Sequence, residues 1–178
     1  MGTTLESLIN QQIRQIPDFP KPGINFYDVT PLMSQPEIFG GIIAEFAKLA
    51  KPLRPQVIVG IEARGFIFGA PLARELGIGF VPVRKPGKLP YKVERIEYTL
   101  EYGSGQLEMH NDAVKRGTRA LVVDDLIATG GTARATCELL QRMGADIAGF
   151  LCVVELTFLG AVKILSPVDI ISLVNYDS

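Results

Sequence analysis

Cysteine and histidine are scarce in this sequence: two of the first and one of the second in 178 residues. Cys137 and Cys152 fall in segments of helical and strand character, so the expectation is a pair of buried, reduced thiols rather than a disulfide framework or metal site. His110 has no cysteine or acidic pair around it at metal-ligand spacing and reads as structural or exposed. Charge of one sign is also lacking. With a net charge of −1 there is no general attraction for nucleic acid or an anionic membrane, and neither is expected as a partner. No uninterrupted apolar run approaches the ~20 residues of a membrane span. The N-terminus carries no basic and apolar leader, so a cytoplasmic location is expected. Repeats, low-complexity tracts and linkers are absent, and the length suits one domain that buries roughly 70% of its unfolded surface. Two common phosphate-binding signatures are missing as well, the Gly-Lys-Ser/Thr of a P-loop and the G-x-G-x-x-G of a dinucleotide fold.

Apolar runs alternate with helix-like segments through most of the chain. Val57–Ile61, Phe80–Val83, Arg119–Val123, Ile147–Val154 and Ile170–Val174 read as strands. Several are continuous apolar runs rich in β-branched residues, as buried parallel strands are. Between them Glu37–Leu49, Phe66–Leu76, Thr132–Met143 and Leu159–Leu165 read as helices, and Leu5–Ile16 as an amphipathic N-terminal helix. The alternation predicts an α/β fold, a mostly parallel central sheet with helices on both faces. Val93–Tyr102 and Gln106–His110 alternate like a small antiparallel ribbon, with Gly103-Ser104-Gly105 as its turn.

The most informative stretch is Val122–Thr132, Val-Val-Asp-Asp-Leu-Ile-Ala-Thr-Gly-Gly-Thr, a strand, a loop and the start of a helix. The first N–H groups of a helix lack intrahelical acceptors and sit at the positive end of its dipole, so they bind anions. Gly130 and Gly131 allow close backbone approach, and Thr129 and Thr132 add hydroxyl donors. Asp124 and Asp125 repel a phosphate, so they address something else, such as sugar hydroxyls or a divalent cation. A sugar phosphate with a free diol suits the whole loop. Ligands of such sheets sit beyond the carboxyl ends of the strands, where this loop lies.

Other loops leave the sheet at the same end. Arg64, beside Gly65, can bind phosphate bidentately or pair with Glu62. Arg84, Lys85, Lys88 and Lys92 stand among prolines and a glycine, in either a plain solvated loop or a lid over an anionic ligand. Pro20, Pro22 and Gly23 preclude regular structure and stiffen the loop before Phe26 and Tyr27, which serve as core plugs or as a stacking platform for a flat base. Glu101, near the expected turn of the ribbon, looks like an ordinary exposed strand carboxylate.

Val-Asp-Asp-Leu-Ile-Ala-Thr-Gly-Gly-Thr (123–132) resembles the phosphoribosyl pyrophosphate (PRPP) motif of type I phosphoribosyltransferases. Asp-Phe-Pro-Lys-Pro-Gly (18–23), Arg-Lys-Pro-Gly-Lys-Leu-Pro (84–90) and Leu-Glu-Tyr-Gly (100–103) resemble the adenine-specific branch, and Gly-Ile-Glu-Ala-Arg-Gly-Phe (60–66) and Val-Glu-Leu-Thr (154–157) also fit. The similarity runs from about Ile16 to Tyr176. It implies a type I phosphoribosyltransferase fold in residues 1–178, with an N-terminal hood and base loop over 1–35 and a lid over 84–110. It implies transfer of phosphoribosyl from PRPP to adenine, giving AMP and pyrophosphate, with Mg²⁺ held mainly through PRPP oxygens, in a homodimer. Asp124 and Asp125 would hold the ribose hydroxyls. Ala128, Thr129, Gly130, Gly131 and Thr132 would bind the 5′-phosphate, and Arg64, Arg84, Lys85 and Lys88 would face the pyrophosphate. Phe26 and Leu156 would sandwich adenine near Asn25, and Glu101 would assist proton transfer. Tyr27 departs from the family, which commonly carries Arg there, and so bears on base selectivity. The alternatives are a phosphoribosyltransferase for another purine such as xanthine, or a non-catalytic PRPP-sensing regulator. The segment before Asp18 is short and weakly basic for a DNA-reading appendage, which disfavours the regulator.

Overall fold

A computed structural model describes residues 3–99 and 104–178. Helix α1 (Leu5–Gln12) is capped by Thr4, whose hydroxyl accepts from the Ser7 N–H. It stops short of the expected Ile16. Ile13 is already extended, and β1 (Arg14–Ile16) pairs antiparallel with β2 (Phe26–Asp28). Pro17 disfavours helix at the residue before it, and β2 offers a partner, so the helical periodicity gives way to strand pairing. Phe26 and Tyr27 therefore sit on a short strand rather than in an irregular loop.

The chain continues through α2 (Thr30–Met33), α3 (Pro36–Ala50), β3 (Val57–Ile61), α4 (Arg64–Leu76) and β4 (Gly79–Val83). The ribbon strands β5 (Val93–Thr99) and β6 (Ser104–His110) come next, then β7 (Arg119–Ile127), α5 (Gly131–Arg142), β8 (Asp146–Leu156), α6 (Ala161–Leu165) and β9 (Ile170–Tyr176). Strands β4-β3-β7-β8-β9 lie in that order in one parallel sheet. The chain starts at β3, adds β4 on one side, then crosses to β7 on the other. Loops leaving β3 and β7 thus diverge and leave a crevice between the carboxyl ends of those two strands.

Side chains alternate across the sheet. Ile58, Leu121, Val123 and Leu151 face α1, α3 and α4 in one core. Val57, Val59, Ala120 and Val122 face α5, α6 and the ribbon in the other. The ribbon is a separate sheet, as the alternation suggested, but it is rooted: Ile96, Leu107 and Met109 are buried in the second core. Ser104 and Gly105 belong to β6, so the expected turn at 103–105 is wrong at those two positions. Thr99 pairs with Ser104, and residues 100–103, which include Gly103 of the expected turn, lie outside the described residues.

Helix α4 starts two residues before the expected Phe66, β8 and β9 run two residues past their expected ends, and two other boundaries differ for a visible reason. Strand β7 does not end at Val123 but runs on through both aspartates to Ile127, because β8 keeps pairing with it there. Helix α6 starts at Ala161 rather than Leu159: Gly160 takes φ +72°, a left-handed conformation that separates it from a short 3₁₀ turn over Thr157–Leu159. Both cysteines are buried and free, and burial pushes the Cys137 thiol up to about 12. No helix among the described residues is long and apolar enough to cross a membrane.

Phe68 of α4 is fully buried, with ring centroids 5.7 Å from Phe39 and 6.3 Å from Phe46. It joins α3, α4 and the sheet. Phe68→Ala is expected to cost about 3–5 kcal/mol, read as a shift of the urea-unfolding midpoint; a loss below about 1 kcal/mol would contradict this packing role.

Candidate active site

Pairing between β3 and β7 ends at Gly60 and Val123. Beyond that point β3 turns away into Glu62-Ala63, whose peptide bond is cis, and α4 begins at Arg64. The β3-facing edge of β7 is therefore vacated just where Asp124 and Asp125 stand. Helix α4 enters this gap at Gly65. A Cβ on Gly65 would lie 2.6 Å from the Val123 carbonyl oxygen and 3.0 Å from Asp124 Oδ1, so only glycine lets the helix start seat on the strand. That seating brings the Arg64 guanidinium onto Asp125, with Nε donating to Oδ2. Of the alternatives open for Arg64, its partner is Asp125 and not Glu62.

Asp125 is 4% exposed and Arg64 spans the pocket edge. The Asp125 N–H donates to Asp124 Oδ1 at 2.9 Å. Burial, followed by the neighbouring Asp125 charge, holds the Asp124 carboxyl well above its usual value, against the opposing pull of Arg64. Asp124 thus ionises at an energetic cost, as a carboxylate kept for a ligand would.

After β7 the chain reaches Gly130, at φ +88°, which starts α5 without any side-chain cap. The first N–H groups of this helix have no protein side chain to satisfy them and face a cavity of about 480 Å³. Its lining joins Arg64 and Lys85 to Asp124, Asp125 and the whole of Ala128–Thr132. All five loop residues expected to take a phosphate are thus brought together with both carboxylates and two cations.

A second cavity, of about 670 Å³, is lined by Asn25, Phe26, Tyr27 and Leu156, and shares Arg64, Leu126, Ala128 and Thr129 with the first. The two cavities share that wall. Phe26 and Leu156 border the second cavity together, and the rest of its lining is largely apolar, including Phe158 and Leu159. Tyr27 is 5% exposed, its ring lies 4.5 Å from that of Tyr176, and its hydroxyl donates to the Ser178 carbonyl at 3.0 Å. It braces the cavity wall, and its hydrogen bond is spent there.

Arg84 and Lys88 do not border either cavity. Arg84 makes a two-pronged contact with Glu62, Nε and Nη2 each at 3.2 Å, and Nη1 donates to the Lys88 carbonyl. Burial opposes the Glu62 charge, but hydrogen bonds from Arg84 and the Lys85 N–H, with the charges of Arg84 and Lys88, hold its carboxyl below the usual value. Glu101 lies outside the described residues. Two residues escaped the sequence reading. Tyr98 of the ribbon lines the first cavity and its hydroxyl meets Thr132 Oγ1 at 3.3 Å. Its ring lies across Gly105, where a Cβ would sit 2.6 Å from it. Glu108, treated below, is the other. The aromatic opposite a glycine was the one available signal for Tyr98, and it requires the strand register to be known.

These features, a carboxylate pair beside an uncapped helix start with Arg64 and Lys85 on the same cavity, define a sugar-phosphate transferase site. The phosphoribosyl transferase domain model matches residues 34–158. The chain is 58% identical to adenine phosphoribosyltransferase of a Synechococcus species, over 93% of this chain and 96% of that one. The crystal structure of adenine phosphoribosyltransferase from Thermoanaerobacter pseudethanolicus superposes with a TM-score of 0.94 at 50% identity, covering 97% of this chain and all of that one. The Saccharomyces cerevisiae adenine phosphoribosyltransferase, complexed with an imino-altritol bisphosphate and adenine, gives 0.91 at 37% identity, over 96% and 98% of the two chains. The chain belongs to the phosphoribosyltransferase family, on its adenine phosphoribosyltransferase branch.

The Asp124 carboxyl yields a prediction about pH. Its native value lies above the unfolded one, so the stability it contributes is present below about pH 4, the ordinary carboxylate range, and is lost as pH rises through the native value. Asp124→Asn keeps an oxygen for the Asp125 N–H and does not titrate. Its melting temperature should match the parent near pH 4 and exceed it by at least about 2 °C at pH 7 to 8. A variant less stable than the parent at neutral pH would show that Asp124 is not held against its ionised form.

Proposed function

We propose that the chain transfers the 5-phosphoribosyl group of PRPP to adenine, releasing pyrophosphate and AMP, and that residues 1–178 act as one catalytic unit. The observation that carries this reading is the wall that the two cavities share. A phosphate-and-diol site, lined by Asp124 and Asp125, and an apolar slot for a flat base have Arg64, Leu126, Ala128 and Thr129 in common.

In this reading the 5′-phosphate sits on the N–H groups and hydroxyls of residues 128–132, and the ribose hydroxyls donate to Asp124 and Asp125. Phe26 and Leu156 hold the base, with the backbone near Asn25 at its polar edge and Tyr27 bracing the wall. Departure of pyrophosphate leaves positive charge on the ribose, in an oxocarbenium-like transition state. The carboxylate pair stabilises that charge. Arg64 and Lys85 stabilise the departing pyrophosphate, with Lys88 and Arg84 completing the basic loop. Arg64 is bound to Asp125 in this structure, so ribose binding at Asp125 releases the guanidinium towards the pyrophosphate. One side chain then reports the arrival of the sugar to the leaving-group site. Glu101 takes the role of proton acceptor from adenine N9, on the strength of the family resemblance.

Mg²⁺ fits this donor set as a cation that arrives with the substrate. Carboxylate oxygens of Asp124 and Asp125 border the cavity, while among the described residues no group of three or more ligating side chains forms a site of its own. When bound, it neutralises charge on the pyrophosphate. The functional unit is a homodimer in this reading, since two-fold dimers are the commonest assemblies and Ile67, Phe158, Val162 and Ile164 are exposed apolar side chains.

Initial rates with PRPP, Mg²⁺ and adenine, hypoxanthine, guanine or xanthine test the reaction. Adenine should be the best acceptor, and a faster rate with any oxopurine would overturn the assignment of the base. Asp125→Asn should lower kcat/KM by about a hundredfold or more; near-normal turnover would sink the role given to the carboxylate pair. Sedimentation equilibrium should give twice the chain mass, and a monomer at micromolar concentration would remove the dimer.

A further inference from the structure

Glu108 is the most deeply buried charged side chain among the described residues, at 1% exposure, and it borders neither cavity. It stands on β6, in the root of the ribbon. Its Oε1 accepts from Arg95 Nε at 2.8 Å and from Nη2 as well, and its Oε2 accepts the Gly87 N–H at 2.9 Å. Its backbone exchanges two hydrogen bonds with Arg84, at 2.8 and 2.9 Å. On the other side of the same loop, Glu62 accepts from the Arg84 guanidinium and from the Lys85 N–H, the latter at 2.9 Å. The segment from Arg84 to Gly87 is therefore held at both ends by carboxylates, and Lys85, between the two holds, is the residue of that segment that borders the phosphate cavity.

A buried ion pair is a poor device for stability, because desolvation offsets most of the attraction. It is a good device for geometry: a carboxylate with two occupied oxygens has one arrangement in which both partners are satisfied. We propose that Glu108 is a positioning residue that acts through Gly87 and Arg84 to fix the backbone on which Lys85 is presented to the pyrophosphate group. The proposal rests on the PRPP reading of the cavity. Glu108 reads as one more solubilising strand carboxylate in the sequence, since its partners lie 13 and 21 residues away and come together only through the ribbon register.

The test is calorimetric binding of pyrophosphate to the full chain, beside binding of adenine, for three substitutions. Glu108→Ala removes both oxygens and should weaken pyrophosphate binding by about tenfold, with adenine affinity changed less than about twofold. Glu108→Asp, one methylene shorter, can keep Arg95 but not Gly87 and should show the same selective loss. Glu108→Gln keeps an oxygen for Gly87 but turns its NH2 towards the Arg95 donors, so it should lose less pyrophosphate affinity than the Ala and Asp variants, with adenine within about twofold of the parent. In steady state the Ala and Asp variants should raise KM for PRPP and lower kcat, since Lys85 also stabilises the departing pyrophosphate, while KM for adenine stays within about twofold. Unchanged pyrophosphate affinity in the Ala and Asp variants, or equal losses for pyrophosphate and adenine with a lowered Tm, would overturn the proposal. If the Ala variant does not fold, the contrast between Asp and Gln decides it. A parent chain that binds pyrophosphate but makes no AMP would defeat the proposed reaction and leave this binding test intact.

Discussion

The seating of helix α4 against strand β7 at Gly65 is the constraint on which the site depends. No side chain fits between the helix start and the Val123 carbonyl. Because the approach is that close, Arg64 reaches Asp125, and the helix wall lies alongside the carboxylate pair instead of leaving it open to water. The same contact sets the width of the crevice between β3 and β7, where a doubly wound sheet has room for a ligand. Moving α4 outward would separate the cation from the carboxylates and the phosphate cavity from the base cavity, since Arg64 belongs to the lining of both.

Around that contact the electrostatics follow one pattern. Three inward carboxylates have an arginine assigned to them: Asp125 has Arg64, Glu62 has Arg84, and Glu108 has Arg95. These pairs make little stability by themselves, and they hold the loops that leave the sheet in defined places. Two others have none: Glu155, buried with only the Ser172 hydroxyl on one oxygen, and Asp124, pressed by burial and by its neighbour's charge. A group that is costly in the ligand-free protein is the natural place for interactions that form only when substrate and transition state arrive.

Much of this was legible in the residues. The β-branched runs marked the five main strands because buried parallel strands have no polar face to interrupt them. The phosphate loop was legible because its parts are contiguous: hydroxyls, glycines and a helix start need only local geometry to act together. Where the reading slipped, a non-local partner decided the outcome. β7 extends through Asp124 and Asp125 because β8 pairs with it, Arg14–Ile16 became a strand because β2 lies beside it, and Ser104 and Gly105 became strand because they pair with Thr99 and Tyr98.

The amino-acid order by itself determined the α/β alternation, the Asp-Asp and Thr-Gly-Gly-Thr elements and the family, since each is written in residues close together in the chain. Which cation meets which carboxylate was decided only by the tertiary structure. Arg64 has Glu62 two residues away, yet it binds Asp125 across the crevice, and Glu62 takes Arg84 from the next loop. Tyr27, which the sequence placed against the base, spends its hydroxyl on Ser178. Hydrogen-bond partners are chosen by distance in space, and in a parallel sheet that distance is set by strand order, which local residue patterns do not encode.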